Sequence, residues 1–232
     1  MIKLSIIIPA YNEEKTILKV IKEVKMVKLK DIEKEIVIVD DSSTDNTRNI
    51  LKKINDSSIK ICCHKRNMGK GSAIRTGLEN CAGDIILIQD ADLEYRPSEY
   101  AKLLKPIIKG KAKVVYGSRI CSIRKNKKNM YKLHYFGNKS LTTITNLLYG
   151  SKISDMETGY KVFTREVINN LNLKAKRFDF EPEITAKILK NGYKIHEVPI
   201  SFVGRKFDEG KKITWIDGIK AAYYLLKYRF FE

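Results

Sequence analysis

The run Asp90-Ala91-Asp92-Leu93-Glu94 sets three carboxylates at alternate positions after the apolar stretch DIILIQD (84–90). Alternate side chains of an extended segment point the same way, so Asp90, Asp92 and Glu94 are expected to converge. Crowded carboxylates repel unless a cation lies between them. Hard oxygen donors at this spacing suit Mg²⁺ or Mn²⁺, whose coordination is usually completed by substrate phosphates and water. An acidic turn leading into a helix at Pro97 explains the same residues without a metal. A second acidic run, Asp40-Asp41-Ser42-Ser43-Thr44-Asp45, follows the apolar run EIVIVD. Helix capping by Thr44 or Asp45 accounts for part of it. A carboxylate there is also placed to accept from a ribose hydroxyl or a base N–H. A third site, PAYNEE (9–14), ends the first apolar run at Pro9, with Asn12 suited to a turn.

These runs need a scaffold that brings them together. Residues 3–8, 35–40, 59–64, 84–90 and 113–118 read as buried strands. Helices are expected between them at about 13–27, 45–55, 69–83 and 97–109. Apolar strands alternating with helices predict an α/β fold with a mostly parallel sheet covered on both faces. Ligands of such sheets lie at the carboxyl ends of the strands, which is where all three polar runs fall. The second half adds a helix near 131–149, a short strand YKVF, a helix over 180–192, a strand over 193–202 and a last helix over 213–231. That helix carries Ile216, Ile219, Tyr223, Leu226 and Phe230 on one stripe. No linker or repeat divides the chain, so residues 1–232 are expected to form one domain, with 1–118 as its ligand-binding half and 119–232 as a C-terminal extension.

The chain has 232 residues, with 45 Lys and Arg against 27 Asp and Glu, a formal net charge of +18. Such a field attracts phosphates, nucleic acid or an anionic membrane face. Hydrophobic residues make up 43%, which excludes a largely disordered chain. Cys62, Cys63, Cys81 and Cys121 lack zinc-ligand spacing and read as free thiols of a reducing compartment. His64, His134 and His196 are scattered and read as structural. No run approaches the roughly 18 apolar residues of a membrane span, and the N-terminus reads as a strand, so a cytoplasmic location is expected.

Taken together, SIIIPAYNEE, IVIVDDSSTDNT, NMGKGSAIRTG, GDIILIQDADLE and VVYGSR resemble, in order and spacing, the family 2 glycosyltransferases of the GT-A fold. SDMETGYKVF, EVPISF and GRKFDEGKK are similar to the branch of dolichyl-phosphate mannose synthases and related polyprenyl-phosphate glycosyltransferases. The resemblance covers about residues 3–215. It implies an inverting, metal-dependent transferase that moves a hexose from a GDP- or UDP-sugar to a polyprenyl or dolichyl phosphate. Pro9, Ala10, Tyr11, Asn12, Glu13 and Asp41 then match positions that hold base and ribose, and Lys70 approaches the nucleotide sugar. Asp90, Asp92 and Glu94 match the metal triplet for Mg²⁺ or Mn²⁺, with Asp90 also on the nucleotide and Asp92 counted as catalytic. Arg119 and Arg205, also counted as catalytic, join Lys132 and Lys211 at the acceptor phosphate.

An anionic phosphate acceptor needs positioning cations rather than a strong base, and guanidinium forks suit that task. A sugar-hydroxyl acceptor would instead need a carboxylate base, for which Asp155, Glu157 and Glu181 are candidates. Six basic residues between Arg119 and Lys132 read either as a solvated loop or as a patch for an anionic leaflet. The helices around 131–149 and 213–231 suit either core packing or a bilayer surface. Peripheral attachment at the inner membrane face, or a membrane-protein partner, is implied by the resemblance. A nucleic-acid-binding module is the competing class. It is disfavoured because the acidic runs would repel a phosphate backbone.

Overall fold

The structure, a computed structural model, describes residues 1–121, 132–204 and 215–231. Its strands are β1 (Ile2–Ala10), β2 (Ile32–Asp40), β3 (Ile59–Cys63), β4 (Ile85–Ile88), β5 (Val114–Ser118), β6 (Lys161–Thr164) and β7 (Ile195–Pro199). Its helices are α1 (Ile17–Met26), α2 (Thr47–Lys52), α3 (Lys70–Glu79), α4 (Tyr100–Ile108), α5 (Lys132–Tyr149), α6 (Arg165–Asn169), α7 (Phe180–Lys190) and α8 (Trp215–Phe230). A short 3₁₀ turn, Pro97–Glu99, leads into α4.

The strands form one sheet in the order β3-β2-β1-β4-β6-β5-β7. All pairings are parallel except those of β6, which runs antiparallel to both β4 and β5. The mostly parallel α/β arrangement expected from the sequence is therefore the one adopted, with one reversed strand inserted beside β4. The crossover direction changes at β1, whose neighbours are β2 and β4. A ligand crevice of an open α/β sheet lies at such a switch point. Here β1 runs further than β4: Ile7 pairs with Ile88, whereas Ala10 pairs with Asp40. Backbone hydrogen bonds from Asp41 N to Ala10 O and from Gln89 N to Ile7 O carry the ordering past the strand ends.

The apolar runs explain the layers. In β1, Leu4, Ile6 and Ile8 face one side, where α1 buries Ile17, Val20, Ile21 and Val24 at helical spacing. Ile7 faces the other side with Ile74 of α3, Phe163 of β6 and Phe180 and Ile184 of α7. Each such fully buried side chain is worth roughly 1.5–3 kcal/mol. A Cβ on Gly77 would lie 2.4 Å from Ile7 Cγ2, so glycine there lets α3 sit directly on β1. This brings the start of α3 to the crevice.

Several boundaries differ from expectation. Helix α1 begins at Ile17 rather than Glu13, because Asn12 takes a positive φ of 55° and the chain turns there. Helix α2 is one and a half turns rather than three. The last helix differs more instructively. Ala221, Leu225 and Tyr228 pack inward on α8, while the stripe of Ile219, Tyr223, Leu226 and Phe230 is 45–67% exposed. The expected stripe thus exists on the outer face; the side chain of Ile216 lies outside the described residues.

Candidate active site

The carboxyl edge of β1, β2 and β4 opens into a cleft of about 280 Å³. Pro9, Ala10, Tyr11 and Glu13 line it from the β1 loop, Asp41 from β2, Asp90 and Ala91 from β4, and Gly69 and Lys70 from the start of α3. Four further lining residues, Asn67, Ala73, Arg177 and Phe178, are not among the expected site residues.

Asn12 does not line the cleft. Its side chain ties two loops together: Oδ1 accepts from Thr44 N at 2.8 Å and Nδ2 donates to Thr44 Oγ1 at 3.1 Å. The adjacent carboxylates of Asp40 and Asp41 also have internal partners. Asp40 is fully buried and accepts from Arg48 Nε at 2.6 Å. Asp41 accepts from the backbone N–H groups of Met68 (2.8 Å) and Gly69 (2.7 Å), and its Oδ1 lies 2.7 Å from His64 Nδ1. Each carboxylate thus has its own protein partners, and Arg48 Nη2 joins the two sets by donating to His64 O. Asp41 shapes the loop that delivers Lys70.

That loop is pressed against the segment before α7. A Cβ on Gly71 would lie 2.8 Å from Ala175 O, and one on Gly69, where φ is 93°, 2.4 Å from Lys176 O. Gly71 N donates to Arg177 O and Ser72 N to Lys176 O. These N–H groups at the start of α3 are therefore occupied. The cations lining the cleft are Lys70 and Arg177. The two glycines in NMGKGSA were the only sequence signal of this approach.

Lys70 Nζ lies 2.9 Å from Asp90 Oδ1 and 2.9 Å from Glu181 Oε1. Burial alone would lower its pKa, but the two carboxylates outweigh that and hold it well above the ordinary lysine value. The expected convergence of three carboxylates is not found. Residues 91–94 turn rather than extend, with Leu93 at a φ of 63°, and Glu94 N donates to Asp92 Oδ1 at 3.1 Å. The alternation rule fails because β4 ends at Ile88, before the triplet begins. Asp92 and Glu94 are not among the lining residues of the cleft. Among the described residues, no group of three or more His, Cys, Asp or Glu side chains stands together so as to hold a metal ion.

Beyond β5, Arg119 is gripped by Asp155. Nε and Nη2 donate to its two carboxylate oxygens at 2.8 and 2.7 Å, and the Arg119 backbone N–H adds a third bond. Asn138 Nδ2 donates to the same carboxylate at 2.8 Å. Burial would raise Asp155, but Arg119 keeps its pKa below the ordinary carboxylate range. Of the base candidates, Asp155 is thus committed to an ion pair and Glu181 Oε1 to Lys70. Tyr95 connects the two regions, since the charges of Arg119 and Asp90 both bear on its ionisation and burial pushes it up to about 12. Lys132 is the first residue of α5, with its side chain outside the described residues; Arg205 and Lys211 lie wholly outside them.

Glu157 has a buried Oε1 without a hydrogen-bond partner, and so does Glu181 at Oε2. Burial, together with the charge of Glu181, pushes Glu157 up to about 7. The nearby Lys161 is 1% exposed, donates to Met156 O, and is lowered by burial to about 8. Because the folded pKa of Glu157 exceeds its ordinary 4.5, the stability it contributes is fully present below pH 4.5 and is lost as pH rises through about 7. Glu157→Gln is therefore expected to flatten this decline by on the order of 1–3 kcal/mol between pH 5 and 8.5. Urea unfolding at the two pH values checks it; identical pH slopes for the two proteins would contradict it.

Residues 5–171 match the family described as glycosyl transferase family 2. The chain is 33% identical to the UDP-N-acetylglucosamine–dolichyl-phosphate N-acetylglucosaminyltransferase of Methanococcus voltae, over 95% of this chain and 94% of that one. It is 31% identical to a dolichyl-phosphate beta-glucosyltransferase of Trichomonas vaginalis, over 96% of this chain and 72% of that one. Its fold is similar to glucosyl-3-phosphoglycerate synthase from Mycobacterium tuberculosis, solved with Mn²⁺, UDP and glucosyl-3-phosphoglycerate. The TM-score is 0.72 at 19% identity, covering 98% of this chain and 80% of that one.

Proposed function

This chain belongs to glycosyltransferase family 2, and from that premise we propose that it moves a hexose, with inversion, from a nucleotide diphosphate sugar to a polyprenyl phosphate of the dolichyl type at a membrane surface. The observation that carries the reading is the cleft at the carboxyl edge of β1, β2 and β4. It gathers Pro9, Ala10, Tyr11, Glu13 and Asp41 with the cations Lys70 and Arg177 and the carboxylate Asp90. The first group suits a base and ribose, and the cations suit a diphosphate. The two curated relatives named above, both dolichyl-phosphate glycosyltransferases, support the acceptor.

Asp90 fits a divalent cation by the chemistry of its donor set. Its carboxylate faces the cleft and already carries a cationic partner, and Mg²⁺ is commonly held by one or two carboxylates plus substrate phosphates. Asp92, in the adjoining turn, is the proposed second ligand and Glu94 the third. A bound Mg²⁺ or Mn²⁺ would neutralise charge developing on the departing diphosphate. Arg119, oriented by Asp155, and Lys132, Arg205 and Lys211 are the proposed acceptor-phosphate set. A phosphate acceptor is already anionic, in keeping with the commitment of Asp155 and Glu181 to cations. One observation favours a hydroxyl acceptor instead: the raised pKa of Glu157 suits a general base. Loss of turnover in Glu157→Gln with donor binding intact would support that second reading.

The outer face of α8 supports membrane contact. Ile219, Tyr223, Leu226 and Phe230 are exposed in one stripe, flanked by Lys220, Lys227 and Arg229. An apolar stripe bordered by cations complements an anionic bilayer surface. No helix of the described residues is long and apolar enough to cross a membrane. Replacing Ile219 and Phe230 together by Ser is expected to weaken binding to phosphatidylserine-containing vesicles about tenfold or more, given the apolar area withdrawn. Vesicle flotation checks this, and unchanged binding would remove α8 from the membrane surface.

The test of the activity is a donor screen. Labelled GDP-mannose, UDP-glucose and UDP-N-acetylglucosamine are each incubated with the protein, Mg²⁺ or Mn²⁺ and an extracted lipid-phosphate fraction. One donor is expected to give a chloroform-soluble product. No lipid product from any donor would sink the reading.

A further inference from the structure

The cation nearest Asp90 in the cleft is part of the chain. Lys70 Nζ bridges Asp90 Oδ1 and Glu181 Oε1 at 2.9 Å each, with its side chain 20% exposed. Gly159 packs closely against the other Asp90 oxygen, since a Cβ there would come within 2.1 Å of Oδ2. A metal ion approaching the Asp90 carboxylate meets a group whose Oδ1 already holds an ammonium. Two cations on one carboxylate repel each other, and their repulsion is stronger in a partly buried site than in water. Glu181 offers the ammonium somewhere to go. Its Oε2 is buried and has no hydrogen-bond partner, and the residue is 5% exposed. An ammonium leaving Asp90 thus keeps a carboxylate and gains a second acceptor oxygen.

We propose that Lys70 is a built-in counter-cation that holds the metal position at Asp90 while the cleft is empty, and that a nucleotide diphosphate draws it away so that metal and donor enter together. The inference rests on the metal reading above and deepens it. Lys70 is a positioning residue here: it acts on the metal through Asp90. An ammonium has three N–H donors, so it can face the diphosphate while remaining on Glu181. Asp90 is then free for the divalent ion. This makes metal and nucleotide binding positively coupled, and the coupling is reciprocal by linkage. It also accounts for the want of a ready three-carboxylate cluster among the described residues. In the empty cleft, Asp90 is arranged around a lysine.

The test is Mn²⁺ binding, read from the free-ion electron paramagnetic resonance signal, with and without UDP or GDP. In wild type, Mn²⁺ is expected to bind weakly alone and about tenfold or more tightly with the matching nucleotide, a coupling in the usual allosteric range. Lys70→Met is expected to bind Mn²⁺ about tenfold more tightly than wild type without nucleotide, and to lose most of the coupling. Lys70→Arg keeps the charge and is expected to keep the weak nucleotide-free binding. Glu181→Gln leaves Lys70 leaning on Asp90 alone, so nucleotide-free binding falls further. A merely structural lysine would give the opposite sign, because its removal would weaken Mn²⁺ binding. Nucleotide-free Mn²⁺ affinity in Lys70→Met that equals or falls below wild type overturns the inference while leaving the metal reading standing. No Mn²⁺ binding by wild type with either nucleotide overturns both.

Discussion

Asp90→Asn is expected to lower sugar transfer about a thousand-fold, the scale seen when a preorganised charge facing a developing anion is removed. Asp90 stands at the carboxyl edge beside β1, in the cleft, with Lys70 on Oδ1. Asn keeps the volume and removes the charge. The variant should therefore remain folded, because Asp90 is partly solvent-exposed and its ion pair is not a principal support of the sheet. Steady-state kinetics with the donor found in the screen, alongside circular dichroism, checks this. Activity within tenfold of wild type would remove Asp90 from the chemistry.

Asp155→Ala is expected to destabilise the protein by about 3–5 kcal/mol, because it removes the buried carboxylate that both Nε and Nη2 of Arg119 grip. Asp155 is fully buried and accepts from Arg119 three times and from Asn138 once. The double variant Asp155→Ala/Arg119→Met should recover much of the loss, since it removes both charges rather than one. Urea unfolding of the three proteins measures the coupling. A double variant no more stable than Asp155→Ala would show that the pair is not what the site leans on. The pH dependence follows in sign: the folded pKa is depressed, so this stabilisation is present above the ordinary carboxylate value and is lost as pH falls through the folded one.

What the sequence disclosed and what it hid divide along the range of the interactions involved. The buried strands are legible because β1, β2 and β4 carry apolar runs, and Pro9, Asp41 and Asp90 are legible because they stand at or just past the ends of those runs. Lys70 was reached through its glycine-flanked loop. Arg177 was not, because it comes to the cleft from a segment more than a hundred residues downstream, through backbone bonds to Gly71 and Ser72. The partners of the adjacent carboxylates Asp40 and Asp41 are not visible in their own run. Arg48 reaches Asp40 from the next helix, and His64 reaches Asp41 because β3 lies beside β2. The Asp90–Glu94 alternation was a sound rule applied beyond its strand, undone by the left-handed turn at Leu93. On α8, periodicity found an apolar stripe but not which side packs. The inward face relies on Ala221, Leu225 and Tyr228, and a small side chain and a polar tip disguise it.

The measurement that bears most directly on the central claim is the identity of the nucleotide released. With labelled nucleotide sugar, polyprenyl phosphate and the wild-type protein, transfer of the sugar alone releases a nucleoside diphosphate, one for each sugar found in the lipid fraction. The product then carries a single phosphate, the acceptor's own. That stoichiometry is the expected result. Release of nucleoside monophosphate, with two phosphates in the lipid product, would mean that a sugar phosphate moves instead, and the account of the cleft as a site for a departing diphosphate would be wrong.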